Sequence, residues 1–226
     1  TAGNDTFVVD NTSDTVTEGV GQGTDTIQSV VSFTLPVNVE NLTLTGYFNV
    51  DGTGNLLDNV IIGNSGNNTL AGSSNDYNGG GSDTLQGGLG DDSYEVVGNA
   101  DTVIEAVNEG TDTITLIGDW NRGWSYTLPN NVENLIVADA GVTVLAARTF
   151  TGNALNNVII GDQHWLNSID GGLGADTMIG GTFSDTYLVD NTGDIVIETN
   201  SVAVDTVMSS VSFALGRNVE NLSLTG

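Results

Sequence analysis

Short apolar triplets recur along the chain at a fixed interval, each preceded by six residues rich in Gly, Asn and Asp. GNLLDNVII (Gly54–Ile62) runs directly into GNSGNNTLA (Gly63–Ala71), and NGGGSDTLQ (Asn78–Gln86) into GGLGDDSYE (Gly87–Glu95). Further on come GNALNNVII (Gly152–Ile160), GGLGADTMI (Gly171–Ile179) and GGTFSDTYL (Gly180–Leu188). Each word has nine residues, with Asp or Asn sixth and an apolar or aromatic residue eighth. The first six residues read as a turn and the last three as a short strand. Alternation along a strand points the eighth residue inward (Leu85, Tyr94, Met178, Tyr187) and its neighbours outward. Two words close one coil. The pattern therefore predicts an all-β parallel β-roll or β-solenoid with about 18 residues per coil. With no 3.6-residue periodicity, essentially no α-helix is expected.

A longer repeat encloses the short one. GNDTFVVDNTSDTVTEG starts at Gly3, GDDSYEVVGNADTVIEA at Gly90 and FSDTYLVDNTGDIVIET at Phe183. GTDTIQ follows at Gly23, GTDTIT at Gly110 and VAVDTVM at Val202, and NVENL closes each stretch at Asn38, Asn131 and Asn218. The repeat is about 90 residues long, and the chain carries about two and a half copies. One continuous solenoid over 1–226 is expected, with long repeats at 1–89, 90–182 and a partial 183–226. The chain starts at Thr1 and stops just after NLSLTG, and reads as a piece of a longer array.

Charge changes the picture. The 226 residues hold 29 Asp and Glu against three Lys and Arg, a formal net charge of -26, and 31 Gly. The cations are Arg122, Arg148 and Arg217. Such an excess of one sign opposes a compact state unless counterions neutralise it, and carboxylate oxygens suit hard cations such as Ca²⁺. The regular Val, Ile and Leu positions argue against a disordered acidic tail. Nucleic acid is excluded as a partner by charge sign. Cysteine is absent, so no disulfide framework exists. No apolar run is long enough to span a bilayer, and no signal peptide is visible.

GGLGDDSYE and GGLGADTMI match the G-G-x-G-x-D-x-U-x word, and the chain resembles the RTX (haemolysin-type) calcium-binding repeat family. The DTxxxxNxxDxVxE and NVENLTLTG phrases resemble arrays in large secreted bacterial proteins. The resemblance implies a parallel β-roll in which loop carbonyls and the sixth-position Asp of stacked coils enclose several Ca²⁺ ions. Carried to this chain, the implied ligands are Gly88, Gly90 and Asp92 in one strict word and Gly172, Gly174 and Asp176 in the other. Gly80 with Asp83, and Gly181 with Asp185, belong to degenerate words; Phe183 replaces the usual fourth glycine in the latter. Asp83 and Asp101 are 18 residues apart, as are Asp176 and Asp194, so each pair should face across one coil step. Asp5 and Asp14 are weaker candidates. Asp is also a turn former without a metal, yet like carboxylates stacked about 5 Å apart repel unless a cation lies between them. Asn59, Asn68 and Asn157 suit a metal-free Asn ladder. Asp25 and Asp112 read as turn residues, and the recurring Glu18, Glu105, Glu198, Glu40, Glu133 and Glu220 as structural residues of each coil.

No catalytic constellation stands out. With His164 as the one histidine, no HExxH site can form, and there is no GxSxG elbow or cysteine nucleophile. The segment is expected not to be an enzyme. His164, in DQHW, is expected to face solvent. Trp120, Trp124 and Trp165, with Arg122 and Arg148, lie where the second long repeat is lengthened. They read either as loops covering the roll or as a surface for glycans or a neighbouring protein. Two functions stay open: a calcium-binding adhesive or fibre-forming array, assembling with copies of itself or with cell-surface glycans, and an accessory roll attached to a secreted hydrolase or epimerase. Extracellular location after type I secretion is what the resemblance implies.

Overall fold

The computed structural model describes residues 2–73, 80–97, 100–117, 125–138, 147–199 and 202–225. Every regular element among them is a β-strand, and the strand pairings described among them are parallel. The protein is a parallel β-solenoid with about 19 residues per turn. It separates into two compact units, Thr1–Ile114 and Thr115–Gly226, a division that does not follow the long repeats.

The first unit holds β1 (Thr6–Val9), β2 (Thr26–Ser29), β3 (Phe33–Thr34), β4 (Asn41–Leu44), β5 (Gly52–Thr53), β6 (Val60–Ile62), β7 (Thr69–Ala71), β8 (Thr84–Gln86), β9 (Ser93–Val97), β10 (Thr102–Ile104) and the first residues of β11 (Thr113–Ile117). One sheet runs β1-β2-β4-β6-β8-β10, and the facing sheet includes β3-β5-β7-β9. The two meet across the core at Gly52, where an added Cβ would lie 3.0 Å from Ile61 and Leu42 of the first sheet and 3.3 Å from Leu70 of the second.

The second unit holds the rest of β11, then β12 (Ser125–Thr127), β13 (Asn134–Val137), β14 (Arg148–Thr151), β15 (Val158–Ile160), β16 (Asn167–Asp170), β17 (Thr177–Ile179), β18 (Thr186–Val189), β19 (Ile195–Ile197), β20 (Thr206–Ser209) and β21 (Asn221–Leu224). Its sheets include β12-β14-β16-β18-β20-β21 and β13-β15-β17-β19.

Alternation sets the core. Leu85, Tyr94, Met178 and Tyr187, the eighth residues of their words, are fully buried, as are Ile61, Leu70 and Ile159. Val60 and Ile62 beside Ile61, and Ile195 and Ile197 beside buried Val196, are exposed. Coil length departs from a uniform 18. Thr6 pairs with Thr26, Thr26 with Asn41, and Val60 with Thr84, steps of 20, 15 and 24 residues. The strands hold register because a one-residue slip would turn their apolar faces outward, so length differences are absorbed in the turns.

The NVENL phrase has its own geometry. Asn38, Asn131 and Asn218 adopt φ of 66°, 67° and 62°, a left-handed conformation that Asn tolerates better than most side chains.

Candidate metal centre

The sixth-position residues stack into columns just before the strands, each bonded to the next coil in the same way. Asn59 N–H donates to Asp83 Oδ1 at 2.7 Å, and Asp83 N–H to Asp101 Oδ1 at 3.1 Å. Asn68 N–H donates to Asp92 Oδ1 (2.7 Å) and Asp92 N–H to Asp112 Oδ1 (2.8 Å). In the second unit Asn157 leads to Asp176 and Asp176 to Asp194 at 2.8 and 3.0 Å, while Asn167 leads to Asp185 and Asp185 to Asp205 at 2.6 and 2.7 Å. Each side chain thus takes up the backbone donor at the start of the preceding coil's strand, which would otherwise be buried without a partner.

The paired aspartates expected from an 18-residue spacing do stack, with Asp101 one coil beyond Asp83 and Asp194 one coil beyond Asp176. Their remaining oxygens differ. Asp194 Oδ2 accepts from Asp190 and Asn191, and Asp101 Oδ2 from Val97, closing local turns. Asp14 Oδ2 does the same with Asp10 and Asn11. Asp185 Oδ2 accepts from Gly181 N–H at 2.7 Å. By contrast, Asp25, Asp92, Asp176 and Asp205 each keep a buried Oδ2 that accepts no hydrogen bond from a described group. The glycines of the strict words have φ of +92° (Gly88), +123° (Gly90), +80° (Gly172) and +134° (Gly174). Gly172 and Gly174 lie against the carbonyls of Asn153 and Leu155 in the preceding coil, and Gly88 against that of Asn64. Gly80 sits half-buried ahead of β8. The Asn words are closed differently: Asn157 Nδ2 donates to the carbonyls of Val132 and Glu133, and Asn68 Nδ2 to that of Val50.

Three acidic groups emerge that the nonapeptide alone does not mark: Asp5, Glu18 and Asp25; Asp92, Glu105 and Asp112; Asp185, Glu198 and Asp205. Within each, one oxygen per residue lies within 4.8 Å of the others. Each recurs once per long repeat at the same spacing. Two members are consecutive rungs of one column. The third, Glu105 or Glu198, follows β10 or β19 in the opposite sheet and reaches across the core. The Tyr94 hydroxyl donates to Glu105 Oε1, and Tyr187 to Glu198 Oε1. Asp5 is half-buried, and the other eight carboxylates are buried. Glutamates and aspartates assigned above to plain coil and turn roles (Glu18, Glu105, Glu198, Asp25, Asp112) are thus the core of these groups. The missed signal was a constant 13-residue step from Asp to Glu and 7-residue step from Glu to Asp.

NVENL supports the groups from outside. Asn38 Nδ2 donates to the Glu18 carbonyl and Asn218 Nδ2 to the Glu198 carbonyl, at 3.0 and 3.2 Å. Glu40 Oε2 accepts from Asp25 N–H and Glu220 Oε2 from Asp205 N–H, at 2.8 and 2.9 Å.

Crowded, buried carboxylates hold protons more tightly. Burial, reinforced by the charges of Asp112 and Asp92, pushes Glu105 up to about 8 despite the Tyr94 hydrogen bond. Burial likewise pushes Glu198 to about 7, with Asp205 and Asp185 adding to it, and Asp92, Asp176 and Asp185 to about 6. An oxygen-only set of clustered carboxylates can hold a hard divalent cation.

The lengthened second repeat contains a different charged centre. Arg148 Nη1 lies 2.6 Å from Asp162 Oδ2 with both side chains fully buried, and its guanidinium sits 3.9 Å from the Trp165 ring centroid. Trp165 is therefore a core residue rather than a surface for glycans. His164 is half-buried rather than solvent-facing, its N–H donating to Asp162 Oδ1 at 2.7 Å. Trp120, Arg122 and Trp124 lie outside the described residues.

No family model matches the chain, and no solved structure does. A 68-residue stretch, 30% of the chain, is 41% identical to part of the endo-1,3-1,4-beta-glycanase ExsH of Rhizobium meliloti (strain 1021). The match spans 14% of that relative's length. No helix among the described residues is long and apolar enough to cross a membrane.

Proposed function

We propose that this chain is a calcium-binding structural segment of a secreted or cell-surface protein, a β-solenoid that folds as Ca²⁺ binds outside the cell and is not itself a catalyst. The observation that carries this reading is the columns of stacked, buried aspartates, with Oδ2 of Asp25, Asp92, Asp176 and Asp205 lacking a described donor, in a chain of net charge -26. Stacked like charges in a core are costly unless protonated or paired with a cation. In the strict words, Gly88 and Gly90 beside Asp92, and Gly172 and Gly174 beside Asp176, adopt the open backbone needed for carbonyls to join the carboxylate as oxygen ligands. In a Ca²⁺-poor cytosol the acidic coils repel and the chain stays open for export. Outside, extracellular modules commonly bind Ca²⁺ with a Kd of about 10⁻⁴–10⁻³ M, and ion binding adds directly to folding free energy.

The long repeats favour an adhesive or fibre-forming array, because solenoid coils propagate by stacking. The similarity to a fraction of a glycanase favours a second reading, an accessory roll beside an enzyme domain. Far-UV circular dichroism during a Ca²⁺ titration, with Mg²⁺ as control, tests the shared premise. A cooperative, chelator-reversible gain of β signal near millimolar Ca²⁺ is expected. Full β structure in excess chelator, with no bound Ca²⁺ by metal analysis, overturns it. More long repeats on both sides of the segment separate the array from the roll, which needs a catalytic motif in the flanking chain.

A further inference from the structure

The geometry points to a second class of cation site, inside the solenoid and built on carboxylates rather than on loop carbonyls: Asp92–Glu105–Asp112 and Asp185–Glu198–Asp205 each hold one divalent, oxygen-seeking cation, with Ca²⁺ the fitting occupant. This rests on the calcium reading above but adds to Asp92 and Asp185 of the nonapeptide words four carboxylates that those words do not contain, Glu105, Asp112, Glu198 and Asp205.

Four observations converge. First, one oxygen of each of the three carboxylates lies within 4.8 Å of the others, a spread that ligands around a cation with 2.3–2.6 Å bonds can occupy. Second, Asp92 and Asp205 are 2% and 0% exposed, and the Oδ2 of each accepts no hydrogen bond from a described residue; that of Asp92 lies with the Tyr94 hydroxyl against Gly87, facing the group. An anionic oxygen buried in that position is strongly unfavourable unless a cation or proton meets it.

Third, the glycine ahead of each group leaves the space clear. A Cβ on Gly180 would collide with the Tyr187 hydroxyl, Asp185 Oδ2 and Glu198 Oε1 together; one on Gly87 would collide with Asp92 Oδ2 and the Tyr94 hydroxyl. Polar atoms from both sheets therefore aim at one point beside a backbone that carries no side chain.

Fourth, the same column shows what a covalent counterion looks like. Asp185 continues a column whose earlier rungs are Asn167 and, paired with it between β14 and β16, Arg148. There the chain supplies its own buried cation, set 2.6 Å from buried Asp162. Two coils on, the rungs are carboxylates only. The donor set, free of His and Cys, selects Ca²⁺ over softer metals such as Zn²⁺. Bound there, the ion ties two successive coils to the opposite sheet. Asp5–Glu18–Asp25 is the shallower relative, with Phe7 where the others have tyrosine and Asp5 half-buried.

Counting ions tests this. Bound Ca²⁺ per chain is measured by equilibrium dialysis and metal analysis on the wild type, on the double variant Glu105→Gln with Glu198→Gln, and on Asp176→Asn, a loop position without a triad glutamate. Glutamine keeps the shape and can still accept from tyrosine. The double variant is expected to fold and to hold two ions fewer than the wild type, while Asp176→Asn loses a loop ion and keeps the interior pair. A double variant with an unchanged count overturns the interior sites and leaves the calcium reading standing. A wild type that takes up no Ca²⁺ overturns both. A crystal of the wild type grown with Tb³⁺ gives a readout free of substitutions: anomalous density among Asp92, Glu105 and Asp112 supports the assignment, and density confined to the loops at Asp83 and Asp176 removes it.

Discussion

Tyr187 and Glu198 meet across the core, the phenol donating to Glu198 Oε1 although β18 and β19 belong to different sheets. Burial and the carboxylate hold the Tyr187 proton well above the ordinary phenol range, so the hydroxyl remains a donor. In the first long repeat Phe7 takes the tyrosine's place, which shows that the ring fits without its hydroxyl. Tyr187→Phe should therefore fold, and should lose about 1–3 kcal/mol of stability by stripping a buried oxygen of its donor. Urea unfolding in excess chelator measures it. No change in midpoint would mean that Glu198 is satisfied without Tyr187.

The metal-free fold should be more stable at pH 5 than at pH 8. Folding raises Glu105 to about 8, Glu198 to about 7, and Asp92, Asp176 and Asp185 to about 6, from ordinary values of 4.5 and 3.8. The folded state then binds more protons than the unfolded state between about pH 4 and pH 8, so unfolding free energy falls as pH rises through that window. Ca²⁺ competes with the same protons, so its stabilisation should grow from pH 5 to pH 8. Urea midpoints at both pH values, with chelator and with Ca²⁺, check both signs. A metal-free midpoint that rises with pH would show that these carboxylates are not the dominant titrating groups.

Gly180→Ala should be among the more damaging small substitutions in the second unit. Its Cβ would meet the Tyr187 hydroxyl and two carboxylate oxygens, and relief requires displacing buried polar groups. A loss of about 1–3 kcal/mol follows from overpacking alone. Gly216→Ala is the control, its nearest neighbour being the Val196 carbonyl at 3.3 Å. Thermal unfolding of the two variants side by side decides. Equal effects would mean that the Gly180 site can open freely.

Asn218 separates backbone conformation from capping. Its φ is 62°, and its side chain donates to the Glu198 carbonyl at 3.2 Å. Asn218→Ala loses both the conformational tolerance and the hydrogen bond, and should cost about 1–3 kcal/mol. Asn218→Gly keeps the conformation and should cost less. If glycine is as damaging as alanine in urea unfolding, the hydrogen bond outweighs the conformation.

The strands and their inward residues were legible in the nine-residue words, because Leu85, Tyr94, Met178 and Tyr187 all obey a local period of two. The stacking of Asp83 on Asp101 was legible because that coil step is two nine-residue words, 18 residues. The acidic groups were not. Glu105 joins Asp92 and Asp112 by crossing from one sheet to the other, a contact that no period along one strand encodes. Uneven coils hid it further, because a 20-residue step from Asp92 to Asp112 breaks the 18-residue rule that led to Asp101 and Asp194 instead. Trp165 was left open between a covering loop and a surface for glycans, because no period marks an irregular insertion; its ring lies buried against Arg148.

That pairing carries the last prediction. Arg148 and Asp162 are both fully buried and 2.6 Å apart, with the guanidinium over Trp165. Neither charge is tolerable there alone, so Arg148→Met should cost about 3–5 kcal/mol by leaving Asp162 uncompensated. Adding Asp162→Asn to Arg148→Met removes the orphaned charge, and part of that loss should return, since Asn can still accept from the N–H of His164. Arg148→Lys should not rescue fully, because an ammonium cannot stack flat on the indole while pairing with the carboxylate. A double-mutant cycle in urea reads the coupling. A double variant no more stable than Arg148→Met would mean that Arg148 matters through its packing against Trp165 and not through its charge, and would remove the pair as the chain's built-in substitute for a bound cation.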